Sequence, residues 1–171
     1  MRVLFLNSEA ELHHNGGDKI MVLTVEAVAE DHDVEVVLPL DGPLVDAFTE
    51  RNIPCRVIPY PIVRRRTARP WAAIIYALQL VTSSLRIWRY VRRRGIDVVY
   101  SNSLGVVQGS VLHLLRMLRD RKHVWHIHDM IDRPRAINRA FSWLVAHGAD
   151  TAICVSQAAH DHLPIRADNL Q

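Results

Sequence analysis

Short apolar runs alternate along this chain with longer stretches whose apolar positions recur at helical spacing. RVLFLN (2–7), DVEVVLP (33–39), PCRVIPY (54–60), IDVVYSN (96–102), KHVWHIH (122–128) and DTAICVS (150–156) read as strands. Helical patterns fall between them at 17–30, 43–51, 69–93, 105–119 and 134–147, and a last one opens at Gln157. The strands are nearly continuous apolar runs without in–out alternation, as expected for parallel strands covered on both faces. Repeated strand–helix units predict an α/β fold, a doubly wound and mostly parallel sheet with helices on both faces and right-handed crossovers.

In such a sheet, ligands gather beyond the carboxyl ends of the strands, near the switch in strand order. The residues expected there are polar after four of the six strands. Asn7, Ser8, Glu9, His13, His14, Asn15, Gly16 and Gly17 follow the first; Ser101, Asn102, Ser103 and Gly105 close the fourth. His126, His128, Asp129 and Arg133 follow the fifth, and Ser156 ends the sixth. Turn chemistry accounts for one or two such loops more readily than for four together.

The chain has 171 residues, 49% hydrophobic and 23% charged, which suits one globular domain with a substantial core. The net charge of +3 is modest, but arginines bunch at 64–69 and 89–94. Such clusters fit phosphate groups or an anionic membrane surface, and equally a solvated helix end. No helix-turn-helix, zinc-finger or aromatic RNA-binding signature accompanies them, so nucleic acid is not an expected partner. Cys55 and Cys154 lack metal or redox spacing and read as free thiols in a reducing compartment. No secretory leader pattern opens the chain. The expected location is cytoplasmic, with peripheral contact on the inner face of the cell membrane as an extension. The apolar segment 71–88 holds Gln79, Thr82, Ser83, Ser84 and Arg86, and reads as a buried or interfacial helix rather than a span.

Gly16 and Gly17 suit a close approach of helix N-terminal amides to a phosphate, and also a plain turn. Neither a GxGxxG fingerprint nor a GxxxxGK[ST] loop is present, which argues against nicotinamide and P-loop enzymes. HVWHIHD suggests a metal site, since His126 and His128 share a strand face. Asp129 points away unless the chain turns at once, and no third ligand at proper spacing follows. The expectation is therefore no metal and no other cofactor, with His123 structural or exposed.

MRVLFLNS…NGGDK, IDVVYSNSLG, HVWHIHD and DTAICVSQAAHDHL, in that order and each at a strand end, resemble the amino-terminal domain of GT-B glycosyltransferases of the family-4-like retaining group. The resemblance covers nearly the whole chain. It implies transfer of a sugar from a nucleotide-sugar donor to a sugar or lipid-linked acceptor, by two Rossmann-like domains facing a cleft. By this resemblance Gly16, Gly17 and Ser156 fall on the donor side and His128 at the reaction centre. Asn15, Asn102, Ser103 and Asp129 fall on the acceptor side. The fourth strand departs from the family pattern, since Ser101, Asn102 and Ser103 stand where a histidine is common. Residues 1–171 are expected to form this single amino-terminal domain. The family's nucleotide-binding domain, with its acidic E-x7-E pair, is expected elsewhere in a longer chain or a separate subunit. The alternatives are a non-catalytic glycosyltransferase-like partner and another enzyme on a doubly wound sheet.

Overall fold

The computed structural model describes residues 1–10, 16–62, 70–128 and 135–162. Strands and helices alternate strictly along them: β1 (Arg2–Asn7), α1 (Gly16–Ala29), β2 (Asp33–Leu38), α2 (Pro43–Glu50), β3 (Cys55–Val57), α3 (Pro70–Arg94), β4 (Val98–Asn102), α4 (Gln108–Leu114), β5 (Lys122–Ile127), α5 (Arg135–Gly148), β6 (Thr151–Cys154) and α6 (Gln157–His162). All strand pairs are parallel, and the sheet runs β3-β2-β1-β4-β5-β6. The expected doubly wound α/β fold is the observed one.

From β1 the chain winds outward to β3, then returns to lay β4 against the other side of β1. Right-handed crossovers in opposite directions put their helices on opposite faces. Val3, Phe5, Val36 and Leu38 accordingly pack with Met21 and Val25 of α1 and Leu44 and Phe48 of α2. Leu4, Leu6, Val37 and Val99 face Ile87 and Val91 of α3 and Leu112 of α4. Trp125 and Ile127 meet Phe141 and Val145 of α5. After their first residue, β1 and β2 are buried throughout, which is why their sequences do not alternate. Gly95 ends α3 at φ +64°, a left-handed conformation natural to glycine. Just before it, Arg94 and Tyr90 both bind the buried Glu35 carboxylate and pin the end of α3 to β2; the Arg94 Nη2–Glu35 Oε1 pair measures 2.8 Å.

Two elements differ from the sequence expectation. β3 is only three residues long, because Pro54, Pro59 and Pro61 supply no N–H for a ladder. α4 spans 108–114 and not 105–119, since Arg116 and Arg119 adopt left-handed φ of 54° and 51° and break the helical pattern. Much of the apolar first half of α3, left by the sequence as buried or interfacial, faces outward: Ile74, Leu78 and Val81 are 65%, 63% and 56% exposed. Inward contact comes from Leu80 and then from Ile87 and Val91. Among the described residues, no helix is long and apolar enough to cross a membrane. Both cysteines are free and half-buried.

Candidate active site

The sheet reverses its winding direction between β1 and β4, and their carboxyl ends are joined side chain to side chain. Asn102 Nδ2 donates to Asn7 Oδ1 at 2.8 Å, and Asn7 Nδ2 donates to the Glu9 carbonyl at 3.0 Å. The Tyr60 hydroxyl lies 2.5 Å from the Asn7 carbonyl and 3.1 Å from that of Val37. Burial raises the Tyr60 phenol far above its ordinary value, so it stays a donor. Ala10, buried behind this knot, accepts the Leu44 amide at 3.0 Å and ties the loop after β1 to α2. The switch point is thus a rigid, internally satisfied floor.

Ser103 ends β4 at φ +91°, rare for a side chain larger than glycine. Hydrogen bonds hold it there, the Val106 amide donating to its carbonyl at 3.2 Å among them. Its amide donates to the His126 carbonyl at 2.9 Å, its carbonyl accepts Trp125 Nε1 at 2.9 Å, and its Oγ accepts the Gly105 amide at 3.1 Å. This turn clamps β4 to the end of β5 and so fixes where β5 delivers its histidines. His126 and His128 share one strand face, ring centroids 5.8 Å apart and nearly perpendicular. His126 packs edge-on against Tyr100, and Tyr100 against Phe5, so the histidines lie on the face that carries α1. Burial, then the neighbouring His128, lowers the His126 pKa. Its Nδ1 is buried with no hydrogen-bond partner among the described residues. His128 stands just past β5, half-buried at the carboxyl edge.

Gly16 and Gly17 open α1, where the first backbone N–H groups of a helix have no intrahelical acceptor. Ser156 is exposed and caps α6, its Oγ accepting the Ala159 amide at 3.2 Å. Asn102 and Ser103, expected on the acceptor side, are 2% and 6% exposed, and the bonds above occupy them. Asn15 and Asp129, with His13, His14 and Arg133, lie outside the described residues. His123 is structural rather than exposed, being fully buried between the Gly148 carbonyl and Ser101.

The sequence reading did not single out a cleft of about 310 Å³ beside Tyr60, at the carboxyl ends of β2 and β3, with Gln79, Thr82 and Arg86 of α3 on its other wall. Its one signal was Tyr60 held between two prolines, a stiff loop with a polar tip. Gln108 Nε2 donates to the Pro61 carbonyl at 2.7 Å and steadies that loop. No group of three metal-ligating side chains occurs among the described residues.

Residues 15–165 match the family described as Glycosyltransferase Family 4. The chain belongs to that family. Its fold is that of the amino-terminal domain of GT-B glycosyltransferases. Among solved structures, it superposes on HepE from Anabaena in complex with UDP and glucose with a TM-score of 0.73 at 18% identity, covering 100% of this family-4 chain and 43% of HepE. A glycosyltransferase from Rickettsia africae gives 0.68 at 15% identity, with 99% and 41% of the two chains covered. The lipopolysaccharide outer core galactosyltransferase WaaB gives 0.62 at 10% identity, with 100% and 44% covered. The chain therefore spans less than half the length of these relatives. A search of curated proteins gives no match.

Proposed function

We propose that this chain is the acceptor-side domain of a two-domain glycosyltransferase, which moves a sugar from a nucleotide-sugar donor to an acceptor with retention. The supporting observation is the gathering, at one sheet edge of a family-4 chain, of the α1 start at Gly16–Gly17, the Asn7–Asn102 floor and His128. HepE complexes with UDP and UDP-glucose support the donor class. A second domain, contiguous or in a separate subunit, completes the cleft; the coverage of less than half of each relative supports this reading.

In this mechanism the acceptor oxygen bonds to the anomeric carbon on the face from which the phosphate oxygen leaves. The acceptor proton passes to that departing oxygen. Amides at the start of α1, Gly17 foremost, stabilise the charge developing on the phosphate. His128 holds a hydroxyl of the transferred sugar more tightly in the transition state than in the ground state. The roles assigned are donor binding for Ser156 and acceptor binding for Asn15 and Asp129. Asn102 and Ser103 act there by shaping the floor, their side chains being already bonded. No metal or other cofactor takes part. The acceptor enters by the cleft of Tyr60, Gln79, Thr82 and Arg86. The WaaB comparison supports a lipid-linked or polysaccharide acceptor. The exposed Ile74, Leu78 and Val81 of α3 suit peripheral contact with the inner face of the membrane.

The test is His128→Ala in the two-domain enzyme. A loss in kcat/KM on the order of a hundredfold, about 2.7 kcal/mol, is expected with an unchanged thermal melt. Unchanged kcat/KM removes His128 from the reaction centre.

A further inference from the structure

At the opposite edge of the sheet, by the amino ends of β4 and β5, lies a second cleft of about 420 Å³. A strand of six residues separates it from the candidate active site, about 20 Å. It is lined by Trp88 and Arg92 of α3 and by Arg116, Met117, Arg119 and Arg121 of the α4–β5 connection. Among the described residues, no carboxylate lines it. Among the described residues none of its four arginines is in an ion pair, although ion pairs engage Arg2, Arg51, Arg94 and Lys122. Asp120, between Arg119 and Arg121 in sequence, is not part of the wall.

Two of the four guanidinium groups are already held in place. Arg92 lies over the Trp88 ring, 5.1 Å from its centroid, and Arg121 Nε donates to the Ile96 carbonyl at 2.8 Å. The other two stand at backbone positions that arginine fills poorly. Arg116 occupies the left-handed residue after α4, where glycine is usual, with Met117 N–H returning to the Leu112 carbonyl at 2.9 Å. Arg119 is left-handed as well. Like charges gathered without a counter-charge repel one another, and an anion relieves that repulsion. Planar guanidinium forks match phosphate oxygens in pairs.

We propose that this cleft is an anion site, separate from the transfer centre, that binds a phosphate-bearing group. That group is either a free phosphate compound or the headgroup of an anionic lipid. The second source fits the surroundings: at about 100° per residue, Ile74, Leu78, Val81, Leu85, Trp88 and Arg92 fall within one arc of about 80° along α3. The exposed apolar stripe therefore leads directly to the arginines. The site does not depend on the proposed reaction.

The experiment titrates sodium pyrophosphate into the intact protein by calorimetry at low ionic strength. In parallel it measures co-flotation with phosphatidylcholine vesicles with and without phosphatidylglycerol. The test variant combines Arg116→Gly and Arg119→Gly, which removes two charges and relaxes both left-handed positions. The control combines Arg89→Gln and Arg93→Gln, which removes the same charge from exposed positions outside the cleft. We expect stoichiometric pyrophosphate binding, weakened about tenfold or more in the test variant and less than about twofold in the control. Phosphatidylglycerol-dependent flotation lost only in the test variant identifies a lipid headgroup as the source. Pyrophosphate binding without flotation identifies a free phosphate compound. Equal losses in test and control variants, or no binding in either assay, overturn the site.

Discussion

His123 is fully buried in β5, its Nδ1 2.5 Å from the Gly148 carbonyl and its Nε2 3.0 Å from Ser101 Oγ. Both ring nitrogens are satisfied with the ring neutral, Nδ1–H donating and Nε2 accepting. Burial lowers its pKa to about 4, opposed by the Gly148 carbonyl and assisted by nearby His113. An unfolded histidine titrates near 6.5, so between the two values the unfolded chain binds more protons than the native one. The contribution of His123 to stability is therefore complete above about pH 6.5 and falls as pH drops toward 4. Urea unfolding should show a loss of about 2 kcal/mol between pH 7.5 and pH 5. A flat profile across that window contradicts the buried neutral ring. Asp150 acts lower on the pH scale. Burial alone would raise its pKa, but the His123 amide and Lys122 outweigh that and hold it below the usual value. In the sequence, His123 was one of several histidines in a tract resembling a metal site. Its odd spacing from His126 puts it on the other strand face, and there Ser101 of β4 and the Gly148 carbonyl of α5 close over it.

The α4–β5 pair shows how an element can be set by contact. α4 lies so close to the sheet that a Cβ at Gly109 would stand 2.3 Å from His123 Nε2 and 2.7 Å from Ser101 Oγ. Neither neighbour has room to withdraw, since both are fully buried. Gly109→Ala should destabilise the protein by about 2 kcal/mol through overpacking, read as a lower urea midpoint with an unchanged slope. Wild-type stability in that variant would mean that α4 moves freely on the sheet. The helical spacing of the 105–119 stretch continues past Leu114, so the sequence reading overextends α4. The break comes from the turn, where Arg116 N–H bonds the His113 carbonyl at 2.8 Å and Arg121 N–H bonds that of Leu118 at 3.0 Å. For α3 the sequence left a buried and an interfacial helix open, and only the fold shows Leu80 packing inward while Ile74, Leu78 and Val81 face outward.

At the scale of the molecule, the proposed function takes this open sheet as one side of a cleft. On that proposal, stabilising a departing phosphate needs charge from a facing side. The isolated 171-residue chain should therefore fold cooperatively and yet transfer no sugar from any nucleotide-sugar donor, as checked by circular dichroism and a radiolabelled transfer assay. Transfer by this chain alone would refute the two-domain reading. The switch point itself was readable in outline, since strand–helix alternation restricts the topology to a few windings. Its location between β1 and β4 required the strand order.

The sequence by itself determined what depends on local spacing and on composition. Continuous apolar runs demanded strands covered on both faces. Helical periodicity set the intervening layers. Polar residues at four strand ends marked the edge taken here as the candidate site. The i, i+2 spacing of His126 and His128 put both rings on one face. Tertiary structure decided which of those polar groups remain available. Asn102 and Ser103 look alike as candidates in the sequence, but one is bonded to Asn7 and the other to β5. The arginines of α3 and of the α4–β5 connection are 24 or more residues apart in the chain, and only the fold gathers them into one cleft. The physical reason is the same throughout. Local pattern governs backbone conformation and facing. The partners that occupy or spare a polar side chain come from elements distant in sequence, so their identity exists only after folding.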